Sequence, residues 1–414
     1  MGKAFISRHG GAFDGVTINF ENYEPNPKVS VNNLSEEKHQ LAATTVGDYA
    51  IFAGGLYISN GSHYPPAVDV YDCNLTRSTL ELSEGRGDLA ATTVGTYALF
   101  GGGAIYGDSS ISAHRKTVEF FNNELVRGSA PELDEERNSL SATTIGDYAL
   151  FAGGYTGNRS SVVDSYNTAL TKTSVSSLIE PKSLCAATSN GNYALFGGGY
   201  VSASPYHVET VDAYGLNLVK TTAPNLSKGR SGLAATAING HAIFGGGVGS
   251  NGPYQNAVDV YSNNLTRITA PELSVARCYF AATTSNDYAF FGGGRIGGDV
   301  HSSSSISPKV DVYSRNLTRD SVPDLDLGKD YLAATSVGCY SIFAGGTTYG
   351  SEGTKYCATV DAYTLSPFRL TLYKNSRYKF QNMSDELTVS SDISTISIPT
   401  PATGYVKYKN TTIS

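Results

Sequence analysis

The chain of 414 residues has no tryptophan, two methionines and only 16% charged residues. No stretch of it approaches the ~20 consecutive apolar residues that a membrane helix requires, so membrane insertion is not expected. A net charge of −7 offers no basic surface for nucleic acid. Cysteine is scarce, and the five present (Cys73, Cys185, Cys278, Cys339, Cys357) are odd in number and scattered. That pattern argues against a disulfide framework and against a metal-ligand set. The opening Met-Gly-Lys-Ala-Phe-Ile-Ser-Arg-His-Gly lacks an apolar run of signal-peptide length, so synthesis in a cytoplasm without export by the general route is expected. Serine-histidine-aspartate arrangements, nucleotide loops and paired-carboxylate motifs are absent too, and neither enzymatic activity nor a cofactor is expected.

What the chain has in quantity is glycine, 45 residues, and tyrosine, 28. Both belong to a recurring phrase, first met as Leu-Ala-Ala-Thr-Thr-Val-Gly-Asp-Tyr-Ala-Ile-Phe-Ala-Gly-Gly over 41–55. Its phenylalanine recurs at Phe52, Phe100, Phe151, Phe196, Phe244, Phe291 and Phe343, at intervals of 45 to 52 residues. Seven copies of a short-strand unit at such a period predict an all-β, seven-bladed β-propeller. Each repeat divides into four antiparallel strands. Strand A is Leu-Ala-Ala-Thr-Thr, strand B Tyr-Ala-Ile-Phe-Ala-Gly-Gly, strand C Ala-Val-Asp-Val-Tyr, and strand D follows Leu-Thr-Arg. Signals such as Gly47-Asp48 and Asn239-Gly240 join A to B in a tight hairpin. The small Ala-Ala centre of strand A suits the crowded axis of a ring.

Strand D follows the first six repeats, led in by Leu75, Leu125, Leu170, Leu218, Leu265 and Leu317, but fails after the seventh at Thr364-Leu365-Ser366-Pro367. Upstream, Lys28-Val29-Ser30-Val31 stands before Leu34-Ser35 as Arg267-Ile268-Thr269-Ala270 stands before Leu273-Ser274. The missing outer strand is therefore expected from residues 28–33, which would join the two ends of the chain. This gives three segments: an N-terminal attachment segment 1–27, a propeller 28–365, and a C-terminal β appendage or attachment segment 366–414. Alternation at 369–373 and 405–408 marks short strands in the last of these, with turn signals at 390–392 and 399–401.

The double glycine closing strand B, the aromatic and aliphatic pair before it, and Val-Asp-x-Tyr in strand C resemble the Kelch repeat family over about four-fifths of the chain. Kelch blades usually carry a tryptophan after that tyrosine, where this chain has the six leucines. The wording of the repeats is further similar to Kelch-like arrays in structural proteins of bacteriophages infecting gut Firmicutes. That resemblance implies a virion surface or host-adhesion protein, attached to other virion proteins through its termini; a cytoplasmic Kelch-type adaptor and a carbohydrate-active propeller enzyme are the alternatives.

In an antiparallel blade the B–C loops and the D–A connectors share one face. The B–C loops differ in length and carry Tyr57, Tyr64, Tyr106, Tyr155, Tyr200, Tyr206, Tyr254, Tyr349 and Tyr356 among Ser, Gly and Asn. Variable loops on a rigid scaffold, with a paratope-like composition, make this face the expected site for a glycan or protein. Every repeat also carries a cation just before strand A (Lys38, Arg86, Arg137, Lys182, Arg230, Arg277, Lys329) and an acid in strand C (Asp69, Glu119, Asp164, Asp212, Asp259, Asp311, Asp361). Their equal use in all repeats reads as structural inter-blade charges; the other reading is a positive ring at the channel mouth. His63, His114, His207 and His301 fall in B–C loops without a metal-ligand pattern. Arg86-Gly87-Asp88 and the Asn-Leu-Thr triplets at Asn74, Asn264 and Asn316 read as repeat grammar.

Overall fold

A computed structural model describes residues 28–364 apart from 60, 107–111, 251, 253, 298–304 and 351–352. Beyond that range it describes the strand backbones 6–8, 16–19, 368–373, 376–380, 387–388, 393–398 and 405–410. The chain divides into two compact units, 28–364 and 1–27 together with 365–414.

The larger unit is a seven-bladed β-propeller, each blade a four-stranded antiparallel sheet in the order A-B-C-D. In blade 1 the strands are Ala42–Val46, Tyr49–Ala53, Ala67–Asp72 and Arg77–Glu81. The A strands contact one another in sequence around the ring, and that of blade 7, Ala333–Val337, returns to that of blade 1. Strand A alternates buried and half-buried positions, as in Ala90–Val94, while strand B is almost wholly buried between neighbouring blades. The reason is space. Alanine and threonine fit where seven strands converge, and the wedge-shaped gaps further out take large rings. Phe52 meets Tyr71 edge-on at 5.9 Å, and Phe151–Tyr166, Phe196–Tyr214, Phe244–Tyr261, Phe291–Tyr313 and Phe343–Tyr363 repeat the contact. Each pair adds about 0.5–1.5 kcal/mol to the burial of its two rings.

The ring closes with strand D of blade 7 supplied from upstream: Lys28 pairs with Tyr363 and Val29 with Ala362. Residues 368–373 pair instead with 393–398. The ladder is shorter than the stretch expected, two residues rather than six.

The double glycine has a mechanical origin. Gly54 and Gly55 sit at φ +69° and +101°, and side chains there would meet the Arg86 and His39 carbonyl oxygens at 2.6 and 2.8 Å. The second glycine of every pair donates its N–H to the carbonyl of the next blade's cation, from Gly55 to Arg86 through to Gly346 to Lys38. The six leucines lie in the C–D turns in the left-handed region, φ +58° to +63°. They accept this strain because their side chains pack into the gaps between blades.

In the smaller unit, 6–8, 16–19, 405–410, 376–380 and 387–388 form a five-stranded antiparallel sheet in that order. The turn signals at 390–392 and 399–401 lie outside the described residues.

Candidate functional site

The repeated charges form seven ion pairs: Lys38–Asp69, Arg86–Glu119, Arg137–Asp164, Lys182–Asp212, Arg230–Asp259, Arg277–Asp311 and Lys329–Asp361, all 2.6–2.9 Å. All seven cations are fully buried, so none presents charge at the channel mouth. The cation belongs to the connector arriving from the preceding blade and the carboxylate to the blade being entered. The same carboxylates accept a second connector N–H, such as Ser35 on Asp69 or Ser274 on Asp311. Lys182 and Lys220 flank Asp212, and its carboxyl stays below the usual range despite burial that would raise it. Arg86 of the Arg-Gly-Asp triplet is one of these buried cations and is closed to a receptor.

Connectors and B–C loops do share one face. The residue after each cation pairs with the residue after each double glycine, from His39 with Leu56 to Asp330 with Thr347. The next residue in each connector turns into the left-handed region: Gln40, Asp88, Ser139, Leu184, Gly232, Tyr279 and Tyr331, φ +51° to +60°. Their backbones form a closed circle. Asp88 N–H donates to Gln40, Ser139 to Asp88, Leu184 to Ser139, Gly232 to Leu184, Tyr279 to Gly232, Tyr331 to Tyr279 and Gln40 to Tyr331, at 2.8–3.1 Å. All seven line one axial cavity of about 290 Å³.

The circle repeats in backbone but not in side chain. Blades 1–3 contribute Gln40, Asp88 and Ser139, a polar arc, and blades 4–7 contribute Leu184, Gly232, Tyr279 and Tyr331. Tyr279 and Tyr331 stack at 4.5 Å and 21°. The Arg295 guanidinium lies 5.6–5.8 Å from the rings of Tyr279, Tyr331 and Tyr349. It is fixed by Asp330 at 2.6 Å and donates to the Tyr349 hydroxyl at 2.8 Å. Across the mouth Asp88 accepts from the Tyr106 hydroxyl at 2.5 Å and from Gln40 Nε2 at 3.2 Å, and Asn138 donates to Tyr106 at 2.6 Å. Burial pushes the Asp88 carboxyl up to about 6, an effect the Tyr106 hydrogen bond partly opposes. His39, edge-on to Tyr331, is pushed down to about 4 by burial and is neutral at pH 7.

The nine loop tyrosines do not converge on one point. Tyr106 and Tyr349 reach the axial groups as above, and Tyr64 accepts from the Tyr106 N–H. Tyr155, Tyr200 and Tyr206 form a separate platform, with Arg159 4.7–5.0 Å above Tyr155 and Tyr200. Tyr57 stacks on His63, and Tyr57 and Tyr356 line a groove at the blade 7–blade 1 boundary. Tyr254 pairs back onto Val248. His114 packs edge-on to Tyr155 of the next blade's loop and His207 edge-on to Tyr200 of its own loop; His301 lies outside the described residues. Among the described residues no three His, Cys, Asp or Glu are grouped to hold a metal.

Sequence reasoning missed the axial circle. Its signal was a dipeptide that changes in every repeat, held between the constant cation and the residue opening strand A. The first residue pairs with the loop and the second faces the axis.

No family model matches the chain, and no curated protein does. Among solved structures, one described as "Structure of YjhT" is similar at TM-score 0.54 and 12% identity, covering 71% of this chain and 99% of that one. Likeness at this identity is likeness of fold: the chain shares the propeller architecture.

Proposed function

We propose that the propeller is a binding protein without catalytic activity that holds a glycan on its B–C loop face, centred on the axial mouth. The observation that carries this is the hydrogen-bonded circle whose backbone is uniform and whose side chains differ from blade to blade. A purely structural position would repeat its side chain as the buried ion pairs do. The stacked Tyr279 and Tyr331 supply a flat apolar surface for a sugar ring, and Gln40, Asp88 and Ser139 supply hydroxyl partners opposite. Among the described residues the cavity lining holds one carboxylate, Asp88, whereas glycoside hydrolysis by the usual scheme uses two, which favours binding over cleavage. A place on a virion, with the termini attached to other virion proteins, belongs to the same proposal and is supported by the wording of the repeats.

A glycan array probed with the wild-type protein and with Tyr279→Ala and Tyr331→Ala tests this. Specific signals that each variant weakens about tenfold or more, the equivalent of roughly 1.4 kcal/mol, are expected. A silent array would overturn the glycan reading, and signals unchanged in both variants would overturn the axial placement. Capsid or tail genes beside the coding sequence are expected on the virion reading, and a neighbourhood of unrelated metabolic genes would count against it.

A further inference from the structure

We propose that Cys73 and Cys339 form a reversible disulfide that staples blade 1 to blade 7 at the seam where the ring closes. The A–B turn of each of several blades abuts the C–D turn of the next. A side chain built on Gly47 would meet Asn123 Cβ at 3.5 Å, one on Gly95 would meet Thr168 Cβ at 3.4 Å, and one on Gly338 would meet Cys73 Cβ at 3.6 Å. In one blade, the fourth, the residue that follows this glycine reaches the neighbouring turn with its side chain. That residue is Asn192, whose Nδ2 donates to the Asn263 carbonyl of blade 5 at 3.0 Å. Counted from strand B, Cys339 occupies the position of Asn192; counted from strand C, Cys73 occupies the position of Asn263. Only at the seam of blades 7 and 1 are both positions cysteine.

Access separates this pair from the other thiols. Cys73 is exposed and Cys339 half-buried, whereas Cys185, Cys278 and Cys357 are buried. Burial holds the Cys278 thiol up at about 12 and raises those of Cys185 and Cys357 as well, so these three are poor thiolates. The location also gives the bond a purpose. Strand D of blade 7 is held by two residue pairs, where blades 1 to 6 use three to five. A link between the two turns keeps blade 7 against blade 1 when that short strand frays.

The oxidant is a small disulfide such as oxidised glutathione. The thiolate of one cysteine attacks it, expelling one thiolate of glutathione. The second cysteine's thiolate then attacks the mixed disulfide at the protein sulfur and expels the other glutathione. Two thiol protons are released, taken up by the departing thiolates according to pH, and two electrons pass to glutathione.

The full chain equilibrated in oxidised against reduced glutathione, then alkylated and digested without reductant, provides the test. Expected are a linked Cys73–Cys339 peptide, a thermal midpoint several degrees higher in the oxidised sample, and reversal of both by dithiothreitol. Cys73→Ser and Cys339→Ser should each lose the linked peptide and the shift, while Cys185→Ser keeps both. Glutathione adducts alone, Cys73–Cys73 linkage between two molecules, or a linked peptide without a thermal shift would each overturn the proposal.

Discussion

The seven buried ion pairs look alike, yet the structure assigns them unequal weight, and replacing Arg86 and Arg277 separately by methionine exposes the difference. Arg277 donates to Asp311 at 2.8 Å and to the Phe291 carbonyl at 3.0 Å, while its Nε and Nη1 reach no acceptor. When it is lost, Asp311 keeps the Arg319 guanidinium at 2.9 Å and both the N–H and hydroxyl of Ser274. Arg86 donates to Glu119 at 2.8 Å and also to the carbonyls of Gly102, Glu84 and Phe100. When it is lost, Glu119 keeps the Ser83 N–H, and strand D of blade 2 places no second cation within ion-pair distance of it. Removing one partner of a buried pair costs about 3–5 kcal/mol because the other is stranded. Arg86→Met should fall at the upper end, about 4–5 kcal/mol, and Arg277→Met near or below about 3 kcal/mol. Methionine fills most of the volume, so a cavity contributes little to either. Denaturant midpoints read against a common slope measure both. Equal losses, or a loss below about 1 kcal/mol for Arg86→Met, would refute the claim that the second cation and the connector N–H groups share the load.

Further outcomes are expected. Asp88 is raised by burial from 3.8 to about 6, so its contribution to stability is fully present below about 4 and is lost as pH rises through 6. Asp88→Asn should therefore be more stable than wild type at pH 7 by up to about 3 kcal/mol and indistinguishable at pH 3.5; a constant difference at the two pH values would contradict this. Gly55→Ala combines φ +101° with a carbonyl 2.8 Å from the new Cβ, whereas Gly157 at φ +99° has nothing within 4 Å. Alanine should cost about 1 kcal/mol at Gly157 and at least twice that at Gly55 by denaturant unfolding, and equal costs would mean that the inter-blade contact adds nothing.

Much of the fold could be read directly because the repeat converts one local pattern into seven identical demands. Strand order, the tight A–B hairpins, the face shared by connectors and B–C loops, and the strand borrowed for blade 7 all follow from period, alternation and turn residues. The leucines were harder. Their place in the turn was visible, but residues in the left-handed region are recognised by glycine or asparagine, and here inter-blade packing overrides that preference. Loop tyrosines were conspicuous in sequence, and yet Tyr57 lies in one group and Tyr155 with Tyr200 in another, away from the axis, because the loops pack on themselves and on their immediate neighbours, with Arg159 holding Tyr155 and Tyr200 together. Tyr279 and Tyr331 were passed over since they stand in the short variable dipeptide before the constant phrase and outside the B–C loops.

By itself, then, the sequence determined the propeller, its blade count and the manner of its closure, since each depends on local periodicity that neighbours in the chain satisfy together. Only the tertiary structure decided which residues meet at the axis. Gln40 and Tyr331 are hydrogen-bonded there although almost the whole ring of chain separates them. No spacing rule links one blade's connector to another's until seven blades close and bring every such position to a common centre.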